Sequence, residues 1–185
     1  AVLRALVSAD LGFYYIKGGR PKGIIAEQLQ HFEATLQKQN PYMRIKIIPV
    51  GRGDLLKALN EGYGDVAVAN LTITPHRQNM VDFSDPILDD VSEFIVTNQT
   101  HKLISKLEDT SGVTVWIRAS SSYFESVQAM NRKLQNKGLA PIRVNFIQED
   151  LQDFELIELV NQGHIEATII DSHKSELWSK VMDNI

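Results

Sequence analysis

Residues 55–62 recur at residues 156–163, and this recurrence restricts the possible folds more than any figure of composition. Leu55, Leu56, Leu59, Asn60 and Gly62 have counterparts Leu156, Ile157, Val160, Asn161 and Gly163, each displaced by 101 positions. The pattern is an apolar helix face stopped by glycine, the residue best able to take the left-handed turn that ends a helix. In both copies an acidic residue and a short apolar run follow, Asp65-Val66-Ala67-Val68 and Glu166-Ala167-Thr168-Ile169. One offset running through helix, cap and strand predicts an α/β unit built twice. It also places Asn70 and Asp171 at equivalent strand ends.

The flanking segments fit that plan. Leu3-Arg4-Ala5-Leu6-Val7 alternates as a strand does, and the turn from Gly18 to Gly23 separates it from a helix whose apolar face is Ile25, Leu29, Phe32 and Leu36. Ile45, Ile47 and Val50 predict a second strand, with Asp54 as N-cap of the helix carrying Leu55 and Leu59. In the second half Val113-Thr114-Val115-Trp116-Ile117 mirrors the first strand. Ser120-Ser121-Ser122 then opens a helix with Phe124, Val127, Met130 and Leu134 on one side. Alternating strands and helices imply an α/β fold with mostly parallel sheets. The 185 residues divide into two lobes, 1–88 and 89–185.

In open parallel sheets ligands bind beyond the carboxyl ends of the strands, where helix N-termini present N–H groups. That rule selects Tyr14, Tyr15, Asn70, Thr72, Ser120, Ser121, Ser122 and Asp171 as candidate ligand-facing residues. Thr74 before Pro75 is an N-cap with proline at the first helical position, so Arg77 leaves the first turn of a helix. A guanidinium there can grip a carboxylate in two parallel hydrogen bonds. Each candidate also has a plainer role. Arg77 could pair with Asp82, Asp171 could cap the helix after it, and the serine run starts a helix in any event. Tyr14 and Tyr15 are adjacent and point differently, so at most one serves a ligand. The acidic group Glu149, Asp150, Asp153, Glu155 and Glu158 reads as a solvated face near a helix start, and Arg52-Gly53-Asp54 as a helix entrance.

Several chemistries are excluded. With no cysteine the chain offers no disulfide, thiolate zinc site or thiol nucleophile. The five histidines, His31, His76, His101, His164 and His173, lack metal-ligand spacing, so neither metal nor cofactor is expected. Nineteen Lys+Arg against 23 Asp+Glu leave a net charge of −4, without the basic excess that nucleic acid requires. No run approaches the roughly 20 apolar residues of a membrane span. Ala1 enters directly into a strand-like run, as after removal of a signal peptide.

The stretch Leu71-Thr72-Ile73-Thr74-Pro75-His76-Arg77, followed by Val81-Asp82-Phe83-Ser84-Asp85-Pro86, resembles the signature of type 2 periplasmic solute-binding proteins of the amino-acid-binding family 3. The likeness takes in the aromatic pair Tyr14 and Tyr15, the Gly23 helix opening, the serine turn and the pattern ending at Asp171. It implies a Venus flytrap that closes by hinge rotation after Pro86. Arg77 would take a ligand α-carboxylate, with Thr72 and Ser121 or Ser122 adding hydrogen bonds, Asp171 an α-ammonium, and Tyr14 or Tyr15 a stacking role. A finer likeness, through Val91-Ser92-Glu93, Ser120 to Ser126 and Ile170-Asp171-Ser172-His173-Lys174, is to the substrate-binding-protein-like domain of membrane-bound lytic murein transglycosylases of the F type. It implies a non-catalytic periplasmic module for an amino acid or short cell-wall peptide, with a fused lysozyme-like domain and membrane anchoring in the parent protein. The alternatives are an ABC importer receptor with a permease partner, or an enzyme like cyclohexadienyl dehydratase. Ala69-Asn70 departs from the paired serines of many relatives, and the C-terminal return segment of a flytrap is expected to be missing.

Overall fold

The first half runs β1 (Val2–Val7), β2 (Tyr15–Lys17), β3 (Arg20–Lys22), α1 (Ile24–Gln39), β4 (Arg44–Pro49), α2 (Leu55–Asn60), β5 (Val66–Ala67) and α3 (Pro75–Gln78). Ala5, Leu6 and Val7 at the end of β1 are fully buried, so this strand is covered on both faces. Strand side chains alternate. Ala5 and Val7 therefore pack with Ile25, Ala26 and Leu29 of α1, while Leu6 meets Leu55 and Ala58 of α2. The sheet order is β4-β1-β5, all parallel, and β2 and β3 form a separate antiparallel hairpin.

The second half runs β6 (Glu93–Thr97), β7 (Thr114–Arg118), α4 (Tyr123–Asn136), β8 (Arg143–Ile147), α5 (Asp153–Asn161), β9 (Ala167–Asp171) and α6 (Ser172–Trp178). Its sheet order is β6-β9-β7-β8, with β7 parallel to both neighbours and β6 antiparallel to β9. Val115, Ile117 and Ile169 pack with Val127 and Leu134 of α4. Val96 and Ile170 pack with Ile157 and Val160 of α5. This computed structural model describes residues 1–185, which separate into two units, Ala1–Pro86 and Ile87–Ile185.

The repeat is present in three dimensions. Gly62 and Gly163 follow α2 and α5 with φ of 79° and 75°, the left-handed conformation that glycine takes at least cost. Val66 of β5 then pairs with Ala5, and Ala167 of β9, 101 positions on, pairs with Val115. The acidic residue before each strand clamps the neighbouring one. Asp65 Oδ2 accepts the Arg4 N–H at 2.7 Å and Glu166 Oε2 accepts the Thr114 N–H at 2.9 Å.

Gly23, at φ 101°, opens α1 where a Cβ would stand 2.4 Å from the Phe13 carbonyl oxygen. Two local expectations are corrected. Asp54 makes no cap hydrogen bond, because Arg52–Asp54 is itself a 3-10 turn leading into α2. The expected apolar face of α1 is covered only in its first turns: Ile25 and Leu29 are buried, while Phe32 is 46% exposed.

The clamps make stability depend on pH. The Arg4 side chain and N–H hold the Asp65 carboxyl down at about 2. Burial pushes Glu166 up, but the Thr114 N–H and the His101 ring together outweigh it and leave the group below its usual range. A carboxyl depressed in the folded state stabilises above its unfolded pKa and loses that contribution as pH falls through the folded value. The melting temperature should therefore decline from about pH 4 down to about 2, the folded value of Asp65. Asp65→Asn should melt lower than wild type at pH 7, with the difference closing towards the acid end. A parallel offset at every pH would show that the clamp does not titrate.

Candidate functional site

Unit 1 gathers its polar groups at the carboxyl ends of β1 and β5. Thr74 caps α3 as expected, its Oγ1 accepting the Arg77 N–H at 3.3 Å, with Pro75 in the first turn. This short helix projects Arg77, 8% exposed, back toward the strand end, where its Nη1 donates to the Thr72 carbonyl at 2.9 Å. The guanidinium is thus largely withdrawn from water, where its attraction for an anion is less screened. Arg52 Nη2 donates at 2.7 Å to the carbonyl of Asn70, two residues before Thr72, and its Nη1 stands 3.9 Å from Asp10 Oδ2. A tight turn, Leu71 N–H to the Ala69 carbonyl at 2.8 Å, presents Asn70 at its centre. Asn70 Nδ2 and Ser8 Oγ are both buried and make no hydrogen bond within the protein.

Of the aromatic pair, Tyr14 is 3% exposed and packs with Ala5, Val7 and Ile25 in the core, a packing position, and burial pushes its phenol pKa up. Tyr15 starts β2 and is half-buried.

Unit 2 repeats the arrangement with different groups. Asp171 ends β9, is 5% exposed, and makes no cap hydrogen bond to α6. Its N–H donates to the Tyr123 hydroxyl at 3.2 Å. The serine run turns from β7 into α4. Ser120 donates its N–H and hydroxyl to Glu149, Ser121 Oγ donates to the Arg118 carbonyl at 2.9 Å, and Ser122 is buried just before the helix. Beside them lies a charge network. Arg118 donates to the Leu151 carbonyl at 2.5 Å and to Asp153, and Lys174 pairs with the other Asp153 oxygen. All three are withdrawn from solvent, Lys174 to 1% exposure.

The expected solvated acidic face is thereby corrected at Asp153, while Glu149 and Asp150 are exposed. Asp153 is 3% exposed and ion-paired. Glu155 reaches back to the Gln152 N–H at 2.7 Å, closing a capping box. Burying three charged groups is tolerable only because each has a partner of opposite sign.

The structure brings together Asn70, Thr72 and Arg77 in unit 1, and Ser120, Ser121, Ser122 and Asp171 in unit 2. Sequence reasoning missed Ser8, Asp10, Arg52, Arg118, Asp153 and Lys174. Ser8, Asp10 and Arg118 could have been found, since each follows or ends a strand and the same rule selected their neighbours. No group of three or more acidic or histidine side chains is placed to hold a metal, and no helix is long and apolar enough to cross a membrane.

The sequence matches bacterial extracellular solute-binding proteins, family 3, over residues 3–181. Curated relatives are membrane-bound lytic murein transglycosylases F. That of Desulfosudis oleivorans is 27% identical over 167 residues, 90% of this chain and 34% of the relative. That of Saccharophagus degradans is 26% identical over 125 residues, 68% of this chain and 24% of the relative. The chain thus spans about a quarter to a third of the length of these relatives. Among solved structures, an ancestral amino acid-binding protein described as a precursor of cyclohexadienyl dehydratase superposes with a TM-score of 0.80 at 21% identity, covering 100% of this chain and 75% of that one. An ancestral arginine-binding protein bound to arginine gives 0.74 at 24% identity, covering 97% and 74%. These likenesses establish the fold as that of the type 2 periplasmic binding proteins.

Proposed function

The chain belongs to the bacterial extracellular solute-binding proteins, family 3, and from that premise we propose that it binds a small zwitterion, an amino acid or short cell-wall peptide, without transforming it. Its setting is the periplasm, as the sensor domain of a lytic transglycosylase-like protein whose lysozyme-like domain carries the glycan chemistry. The names of the curated relatives support that setting. The observation that carries the binding role is Arg77, a nearly buried guanidinium braced on the Thr72 carbonyl at the end of a parallel sheet. Such a group suits an α-carboxylate, with Asn70 and Thr72 beside it. In unit 2, Asp171 supplies the acceptor for an α-ammonium and Ser121 or Ser122 the hydroxyls. Of the two tyrosines, Tyr15 is the one left to stack on a ligand, since Tyr14 is in the core.

Thermal unfolding against amino acids, dipeptides and peptidoglycan stem peptides tests this reading. At 100-fold excess over Kd a ligand adds about 2.7 kcal/mol, roughly 5–10 °C at this size. A shift with dipeptides or stem peptides is the expected result. A shift with free amino acids alone would reassign the chain to an importer receptor working with a permease. No shift with any zwitterion would overturn the binding role, and turnover of prephenate or arogenate would overturn its non-catalytic part.

A further inference from the structure

We propose that Arg52 makes the unit 1 half-site select a dicarboxylate, meaning an acidic amino acid or a short peptide with a side-chain carboxylate, and reject basic ligands. This rests on the solute-binding reading above and adds the chemical class of the ligand.

Two guanidinium groups serve one short stretch of chain: Arg52 holds the Asn70 carbonyl and Arg77 the Thr72 carbonyl. Two residues of chain span at most about 7 Å, so both cations are anchored within reach of one small ligand. Arg52 has five N–H donors and uses one in its hydrogen bond to Asn70. Its side chain is only 18% exposed, so water compensates the others poorly. Beside it, Asn70 Nδ2 is a second buried donor without an acceptor, and the Ser8 hydroxyl, 2% exposed at the end of β1, is a third. The Asn70 amide and the Ser8 hydroxyl thus offer buried donors at this end of the sheet that no acceptor of the protein takes.

Charge points the same way. The Asp10 carboxylate already lies within 3.9 Å of the Arg52 guanidinium. A ligand ammonium or guanidinium seeking Asp10 would have to approach a cation already there, and like charges brought together select against it. A second carboxylate meets the opposite situation. Arg77 takes the α-carboxylate and Arg52, with the Asn70 amide, takes the other.

Isothermal titration of the 185-residue chain with matched pairs tests this: L-glutamate against L-glutamine, and alanylglutamate against alanylglutamine, with L-arginine as the basic probe. Each pair differs only in one carboxylate. In the wild type the acid of at least one pair should bind tenfold or more tighter than its amide, with arginine weakest. Arg52→Met should bring that ratio near one and raise the relative affinity for arginine. Arg52→Lys, which keeps the charge without the fork, should retain part of the preference and serves if Arg52→Met fails to fold. Equal binding of acid and amide by the wild type, or arginine as its tightest ligand, overturns the proposal while leaving a solute-binding site through Arg77 intact. Equal losses of acid and amide in Arg52→Met overturn it as well, showing that Arg52 only braces the Asn70 turn. Binding of none of the five probes overturns it too, and if the stem peptides also fail to shift unfolding, the solute-binding reading falls with it.

Discussion

Arg77→Ala is expected to weaken binding of any carboxylate ligand by roughly thirtyfold or more. Arg77 is 8% exposed, so a carboxylate paired with it has given up most of its own hydration. Removing the cation leaves that carboxylate desolvated and without its charged partner, at a cost of about 2–5 kcal/mol. That corresponds to roughly thirty- to several-thousand-fold in Kd, read by titration calorimetry. Arg77→Lys keeps the charge but loses the planar fork and should fall between the two. The substitution also removes the hydrogen bond to the Thr72 carbonyl, so ligand-free melting temperatures separate a lost contact from a loosened strand end. Unchanged affinity in Arg77→Ala would remove Arg77 from the site.

Asp153→Ala is expected to have the largest effect on folding. Its two oxygens pair with Arg118 and Lys174, which are 3% and 1% exposed. Deleting the carboxylate leaves two buried cations facing its former place, and breaking a buried ion pair from one side costs about 3–5 kcal/mol. At roughly 2–4 °C per kcal/mol for a chain of this size, the melting temperature should fall by about 6–20 °C. Lys174→Met should cost less, because the Asp153 carboxylate keeps its pair with Arg118. High salt should not rescue Asp153→Ala, since screening acts on exposed charges. A loss below about 1 kcal/mol, the range of exposed pairs, would mean that water reaches the network. Arg118 also supplies the carbonyl that holds Ser121, so the collapse should reach the serine turn.

The parts legible in the sequence are those written within a few residues of one another. Thr74 caps its helix across three positions, Gly62 and Gly163 end theirs, and Val127 and Leu134 mark the inner side of α4, because caps, turns and periodicity are interactions of near neighbours. The 101-residue offset carried the same logic to the scale of the fold, the strand-end rule led to Asn70, Thr72 and Asp171, and the Thr74-Pro75 helix start led to Arg77. Local reasoning failed where a side chain's state depends on distant segments. Asp54 looked like a cap but ends a 3-10 turn, and which of Tyr14 and Tyr15 packs inward was decided only by the contacts of Tyr14 with Ala5 and Ile25. Asp153, one of five acidic residues in a polar stretch, is buried because Arg118 and Lys174 come to it from 35 and 21 positions away. Arg52 meets Asn70 from 18 positions away. The sequence by itself determined two α/β units and the capped helix start that places Arg77 at a strand end. Only the tertiary structure decided which charges are taken out of water and with which partner, because desolvation is set by everything packed around a group and the residues beside it in the chain are a small part of that.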